Sequence, residues 1–278
     1  MGQAIEFRKM HGLGNDFVVV DARQKPFVPA TTQAMWLANR RLGVGCDQLI
    51  VLEPSSRADV FMRIYNSDGS EAEACGNATR CVAGLLRRER DKDAKIETLA
   101  GILVVRPTTD GMFTVNMGAP IFTPAGIPVD AQSPLNLPKL LEQYPPPMAL
   151  GMGNPHCIFI VPPSEIEAID LETLGRQIEA HPLFPAKTNV HFVAKIATNK
   201  IRQRVFERGA GITGASGSGA CAGAVAALSS GLVVGQVEVV LDGGSLWIDW
   251  GGKASDPVFM TGPWAETFQG KIELPSDG

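Results

Sequence analysis

Ala74-Cys75-Gly76-Asn77-Ala78-Thr79-Arg80-Cys81 and Ala215-Ser216-Gly217-Ser218-Gly219-Ala220-Cys221 look like two copies of one device. Positions 75 and 216 lie 216 − 75 = 141 residues apart in a chain of 278. Each segment runs into an alanine-rich stretch that reads as a helix, so Cys75 and Ser216 fall at helix starts. A helix start offers free backbone N–H groups and a positive dipole end, which hold an anion and favour a thiolate. Two such ends facing one cleft would bind a single carboxylate and set a side chain on each side of the adjacent carbon. That arrangement suits removing a proton from one face of a stereocentre and returning one to the other. The first copy carries a thiol and the second a hydroxyl.

Working outward, the first half reads as strands broken by two helices. Ile5–Met10 and Phe17–Asp21 are strand candidates around a turn-rich connector, His11-Gly12-Leu13-Gly14-Asn15. Thr31 can cap a helix running to about Leu42. Gln48–Glu53 and Asp59–Tyr65 follow as strands, and Asn66-Ser67-Asp68-Gly69-Ser70 is a turn. The spacing of Ala78, Val82, Leu85 and Leu86 marks a helix with one apolar face. Its mixed-charge end, residues 87–93, reads as solvated. Strands near Lys95–Thr98, Ile102–Arg106 and Phe113–Met117 close the half.

The second half repeats the plan, with strands at Cys157–Val161, Asn189–Lys195, Arg202–Phe206, Gln236–Leu241 and Leu246–Trp250. A polar helix falls around Leu171–Glu179. Gly219–Ser229 is apolar on every side, as a helix enclosed by strands would be, and Gly231 is its natural C-cap. The expected fold is therefore α/β (α+β) and duplicated: two similar domains, each a curved, mostly antiparallel sheet around a central helix. The proline-rich stretch from Pro120 to Pro147 marks the boundary. The domains are read as residues 1–117 and 118–263, with 264–278 returning to the first and the active cleft between them.

The chain is 45% apolar with a net charge of −4, and no basic run stands out, so nucleic-acid binding is disfavoured. No apolar run reaches membrane-spanning length and the N-terminus has no signal-peptide core, so no membrane partner and a cytoplasmic location are expected. Five cysteines, at 46, 75, 81, 157 and 221, show neither a CxxC pair nor zinc spacing. Cys81, Cys157 and Cys221 read as small apolar fillers, and Cys46 has no arguable role. His11, His181 and His191 read as structural. Cys75 differs, because nothing at a Gly-Asn helix start demands a filler.

Taken together, Lys9-Met10-His11-Gly12-Leu13-Gly14-Asn15-Asp16-Phe17, the Asn66 turn with Ala74-Cys75-Gly76-Asn77, Gly153-Asn154-Pro155-His156, and Glu207-Arg208-Gly209-Ala210-Gly211 resemble diaminopimelate epimerases. The ending Gly243-Gly244-Ser245-Leu246 and Met260-Thr261-Gly262-Pro263 is similar too, so the resemblance spans nearly the whole chain in order. It implies the duplicated diaminopimelate-epimerase-like fold, a homodimer, and an isomerase using neither pyridoxal phosphate, nor any other cofactor, nor a metal. The implied reaction interconverts LL- and meso-diaminopimelate for lysine and cell-wall synthesis, with one cysteine deprotonating the α-carbon and a second reprotonating its opposite face. The resemblance puts Cys75 in the first role and Ser216 in the second. It assigns Asn15, Gln48, Asn66, Asn154, Asn189 and Arg208 to substrate binding, with the backbone of Gly76, Asn77, Gly217 and Ser218 clamping the reacting carboxylate. His156 and Glu207 are implied beside the thiols, Glu207 also near the substrate.

Taken singly, Asn15 and Asn66 are ordinary turn formers and Glu207-Arg208 an ordinary surface pair; only the joint match in chain order makes them candidate ligands. Ser216 departs from the family pattern, which has cysteine there. An alcohol is a far weaker acid than a thiol of reference pKa near 8.5, so inversion is expected to be impaired. An introduced substitution, a variant with another proton carrier, and a relative redirected to other chemistry all stay open. So do two wider alternatives: another cofactor-independent amino-acid racemase or isomerase on this fold, and a catalytically silent ligand-binding relative.

Overall fold

In the first chain reversal, Leu13 and Gly14 both have positive φ, 57° and 87°. That is the turn that matches the natural twist of two antiparallel strands. The connector expected over His11–Asn15 therefore shrinks to two residues, and the strands run through the rest: β1 is Ala4–Gly12 and β2 is Asn15–Asp21. The computed structural model describes residues 4–89, 92–131 and 137–275. Parts of the charged stretch 87–93, the proline-rich stretch 120–147 and the terminal segment 264–278 lie outside those residues.

The chain divides into two compact units, residues 1–115 with 262–278, and residues 116–261. In the first unit the hairpin is followed by α1 (Thr31–Ala38), β3 (Gln48–Glu53), β4 (Val60–Asn66), β5 (Glu71–Ala72), α2 (Gly76–Glu89), β6 (Ala94–Thr98), β7 (Gly101–Pro107) and β8 (Phe113–Asn116). The second unit has β9 (Met148–Gly151), β10 (Pro155–Ile160), α3 (Leu171–Glu179), β11 (Asn189–Ala197), β12 (Lys200–Glu207), β13 (Gly211–Ile212), α4 (Gly217–Ser229), β14 (Val237–Leu241), β15 (Gly244–Trp250) and β16 (Val258–Gly262). The last strand, β17 (Ala265–Glu273), pairs antiparallel along β1 from Ala4↔Glu273 to His11↔Ala265.

The two units repeat one pairing scheme. In the first, β2 lies parallel to β3 and β4 parallel to β6, while β1–β2, β3–β4, β4–β5, β6–β7 and β7–β8 are antiparallel. In the second, β10–β11 and β12–β14 are parallel, and β9–β10, β11–β12, β12–β13, β14–β15 and β15–β16 antiparallel. Element for element, β1–β8 with α1 and α2 correspond to β9–β16 with α3 and α4. This is the duplicated, mostly antiparallel α/β architecture expected from the motif pair.

The central helices are more enclosed than a single apolar face implies. Every residue of α2 from Asn77 to Leu86 is buried, including the fully buried Arg80. Its guanidinium is satisfied internally: Nη2 donates to Asn77 Oδ1 at 2.8 Å and Nε to the Pro263 carbonyl at 3.1 Å. A one-faced reading of this helix is thus corrected. Strands wrap it, and the fully buried Arg80 guanidinium on it is paired, as burial requires. In α4 the small residues Gly and Ala admit the same enclosure, and the helix ends where Gly231 (φ 71°) and Leu232 donate back to the Leu228 and Ala227 carbonyls.

Helix α1 also differs from expectation. Its N-cap is Ala30, whose N–H donates to Gln33 Oε1 at 3.0 Å, and Thr31 is the first helical residue. It stops at Ala38 because Asn39 turns extended and its Oδ1 accepts from the backbone of Arg41 and Leu42, both at 2.9 Å. A side chain that offers the backbone an alternative acceptor ends a helix early.

Candidate active site

Strand pairing brings the candidate residues of each unit to equivalent ladder positions. Phe17 pairs with Gln48 and Gln48 with Asn66, so Asn15, Gln48 and Asn66 gather at one end of β2, β3 and β4. In the second unit His156 pairs with Asn189 and Val190 with Phe206, which puts Asn154, Asn189 and Glu207 at the same end of β10, β11 and β12. Cys75 and Ser216 follow at the starts of α2 and α4. The side chains proposed for the site are thus two copies of one four-position set.

Both reactive positions cap their helices in the same way. Cys75 Sγ accepts the Ala78 N–H at 3.5 Å, and Ser216 Oγ accepts the Gly219 N–H at 3.3 Å. In each case the third helical amide is the donor, and the carbonyl of the capping residue accepts the next one, from Thr79 and Ala220. Each sulfur or oxygen therefore sits in the field of a helix N-terminus.

Their other contacts differ. Cys75 is half-buried, and its thiol donates weakly to Asn15 Oδ1 at 3.8 Å, which Asn77 Nδ2 also reaches at 3.1 Å. Asn15 in turn donates through Nδ2 to Asp47 Oδ2 at 2.9 Å. Arg40 holds Asp47 at 2.6 Å and Asp16 at 2.7 Å, and Lys9 pairs with Asp16. Burial would raise the Asp16 pKa, but the hydrogen bonds from Arg40 and Lys9 outweigh it and hold this carboxyl well below the usual range. The network fixes the Asn15 amide with its oxygen on the thiol. Gln48 Nε2 donates to Asn66 Oδ1 at 2.9 Å, and Asn66 Nδ2 to Ser70 Oγ at 3.0 Å.

Ser216 is buried, and its hydroxyl donates to Glu207 Oε2 at 2.8 Å. Thr213 Oγ1 donates to the other carboxylate oxygen at 2.5 Å. The motif alone showed no base for this alcohol; the strand end supplies one. Asn189 Nδ2 donates to the Pro155 carbonyl at 2.7 Å and its Oδ1 accepts the Arg208 N–H at 3.0 Å, which orders the Arg208 backbone. The Arg208 side chain is exposed, one Nη donating to the Ala186 carbonyl at 3.1 Å. Asn154 Oδ1 lies 2.7 Å from His156 Nε2.

Among the other cysteines, burial pushes Cys46 up to about 11, Cys81 up to about 12 and Cys157 further still. Among the described residues, no group of three His, Cys, Asp or Glu side chains is placed to hold a metal ion, and no helix is long and apolar enough to cross a membrane. Sequence reasoning missed Asp47, Arg80, Gln203 and Thr213. Alternation along β12 places Gln203, Val205 and Glu207 on one face, a signal that a polar residue there joins the site's support.

The family model described as diaminopimelate epimerase matches residues 7–123, mostly in the first unit, and 148–266, mostly in the second. The diaminopimelate epimerase of Rhizorhabdus wittichii is 49% identical over 276 residues, covering 99% of this chain and 97% of that one. That of Sphingopyxis alaskensis is 47% identical over 274 residues, covering 97% and 98%. Among solved structures, a phenazine biosynthesis protein of the PhzF family from Bacillus anthracis superposes with a TM-score of 0.72 at 16% identity, covering 98% of this chain and 100% of that one. A hydroxyproline epimerase from Agrobacterium vitis gives 0.68 at 16% identity, covering 99% and 94%. At that identity the two structures speak for the fold alone. With the family model matched over most of the chain and relatives alike over nearly their whole length, this chain belongs to the diaminopimelate epimerase family.

Proposed function

We propose that this chain is an isomerase acting on 2,6-diaminopimelate, interconverting its LL and meso forms by proton transfer at the α-carbon, with no cofactor. Cys75 as thiolate takes the α-proton, and the position held by Ser216 serves the opposite face of that carbon. The backbone amides of Gly76, Asn77, Gly217 and Ser218 hold the reacting carboxylate and stabilise the charge that develops on it as the proton leaves. Arg208 and the asparagines 15, 66, 154 and 189, with Gln48, recognise the distal amino and carboxylate groups. A cytoplasmic homodimer goes with this reading.

The observation that carries it is the matched capping: Sγ of Cys75 and Oγ of Ser216 each accept the third amide of their helix, at 3.5 and 3.3 Å. A thiol at 216 would share its proton with Glu207 and deliver it as an acid. A hydroxyl there is a poor proton carrier, so inversion by the serine form is slow. The test is chiral analysis of product from LL-diaminopimelate with the serine form and with Ser216→Cys. General acid–base groups commonly contribute roughly 10²–10⁴-fold, and a gain of that order is expected from the cysteine. No turnover by either form would overturn the assignment.

One contact favours a second reading. The Ser216 Oγ–Glu207 Oε2 distance of 2.8 Å allows Glu207 to carry the second proton with Ser216 as relay. In that case the serine form inverts substrate readily and Glu207→Gln abolishes it.

A further inference from the structure

Behind the site, four side chains form one continuous line that the reaction does not consume. Gln203 Nε2 lies 2.9 Å from the Gly219 carbonyl and 3.0 Å from His191 Nδ1. His191 Nε2 lies 2.9 Å from His156 Nδ1, and His156 Nε2 lies 2.7 Å from Asn154 Oδ1. Gln203, His191 and His156 are all fully buried. Two glycines one turn apart on α4 make the room: a Cβ at Gly219 would meet His191 Cε1 at 2.5 Å, and one at Gly223 would meet Gln203 Oε1 at 2.0 Å.

The line has a forced direction, because its inner end is a backbone carbonyl. A carbonyl only accepts, so the Gln203 nitrogen, not its oxygen, faces Gly219. Turning that amide over would set two oxygens against each other, whereas the amide atom beside Gly223, Oε1 here, is buried without a hydrogen-bond partner among the described residues. The second hydrogen on Gln203 Nε2 then points at His191 Nδ1, which must be the unprotonated nitrogen. His191 Nε2–H donates to His156 Nδ1, and His156 Nε2–H donates to Asn154. Tautomers in such a line follow from whichever end is fixed.

We infer that Gln203 and His191 are positioning residues that hold His156 as the neutral Nε2–H tautomer and thereby fix Asn154 with its oxygen inward and its NH₂ turned to the ligand. An Asn154 so fixed offers donors, which select a carboxylate oxygen over an ammonium group. The same line ties this choice to α4, since the Gly219 whose carbonyl starts it also donates its N–H to Ser216. The link to substrate rests on Asn154 being a ligand, as proposed above; the proton arrangement does not.

The experiment has two arms. Nitrogen-15 NMR of histidine-labelled protein reads which ring nitrogens carry hydrogen, and both His156 and His191 are expected to show Nε2–H with Nδ1 bare at pH 7. A protonated Nδ1 on either ring overturns the proposal, whatever the activity. Gln203→Met keeps length and bulk without the amide, and Gln203→Leu is the second choice if it folds poorly. In either variant His156 should show mixed tautomers. In the Ser216→Cys background KM for diaminopimelate should rise roughly tenfold, the loss of about one charge-assisted hydrogen bond, with kcat changed far less. Unchanged tautomers and unchanged KM would reduce Gln203 to a filler. Altered tautomers with no turnover in any background would sink the proposed substrate and leave the positioning role standing.

Discussion

Acid should destabilise this protein through the His156–His191 pair before the paired carboxylates Asp16, Asp21 and Glu266 titrate. Burial lowers the His191 pKa from 6.5 to about 3, and burial with the nearby His191 and Arg208 lowers that of His156 well below 6.5. Both rings are therefore neutral when folded and take up protons only when unfolded. A depressed folded pKa contributes stability that is present above the unfolded value and lost as pH falls below it. For one such histidine the loss at pH 5 relative to pH 7.5 is about 2 kcal/mol, so about 4 kcal/mol for two. The paired carboxylates are also depressed, Asp16 and Asp21 below their ordinary 3.8 and Glu266 below its ordinary 4.5, so they act only below about pH 4.5. The window from 6.5 to 5 thus belongs to the histidines. Urea titrations at both pH values, read by hydrogen exchange on peptides covering residues 155–160 and 189–197, measure it. The double variant His156→Gln, His191→Gln should lose the pH dependence in that window. Equal stability at pH 7.5 and 5, or the same slope in the double variant, would show that the histidine pair does not set this pH dependence.

Further outcomes follow from named contacts. Ser216→Cys should lower the melting temperature by about 2–4 °C, because a sulfur caps Gly219 less well than the hydroxyl does and a lost cap costs about 1 kcal/mol; calorimetry checks it. Asp47→Ala removes the acceptor that orients Asn15, and KM in the Ser216→Cys background should rise roughly tenfold with the fold intact by circular dichroism. Arg208→Lys keeps the charge but loses the planar fork, so diaminopimelate affinity by calorimetry should fall more than for a surface Arg→Lys control. Brief alkylation of native protein should label Cys75 and spare the buried Cys46, Cys81, Cys157 and Cys221, as peptide mass spectrometry would show.

Much of the fold was legible because its signals are local. The paired helix starts at 75 and 216 announced the duplication, and α3 and β3 fall where periodicity put them. The two-residue Leu13-Gly14 turn was blurred because His11, Gly12 and Asn15 also favour turns, while register decides which of them pair. Short β9 hid behind Pro145-Pro146-Pro147, and α1 was overextended because Asn39 stops it by a side-chain bond that composition does not reveal. In the site, Cys75 and Ser216 stood out by motif, and Glu207 only through the joint match in chain order. Asp47, Gln203 and the role of His191 did not, since each acts through a partner distant in sequence, and only strand pairing shows that Val193 lies opposite Gln203.

In the proposed reaction Cys75 serves one face of the α-carbon and position 216 the other. Incubating each diaminopimelate stereoisomer with the serine form and with Ser216→Cys in deuterated water, then measuring deuterium and configuration at the α-carbon together, examines that division. The serine form is expected to exchange the α-hydrogen of one isomer, through Cys75, with retention and with little inversion. The cysteine form should invert both isomers, incorporating deuterium in the product. Inversion by the serine form as fast as by the cysteine form would contradict that division and move the second proton to Glu207.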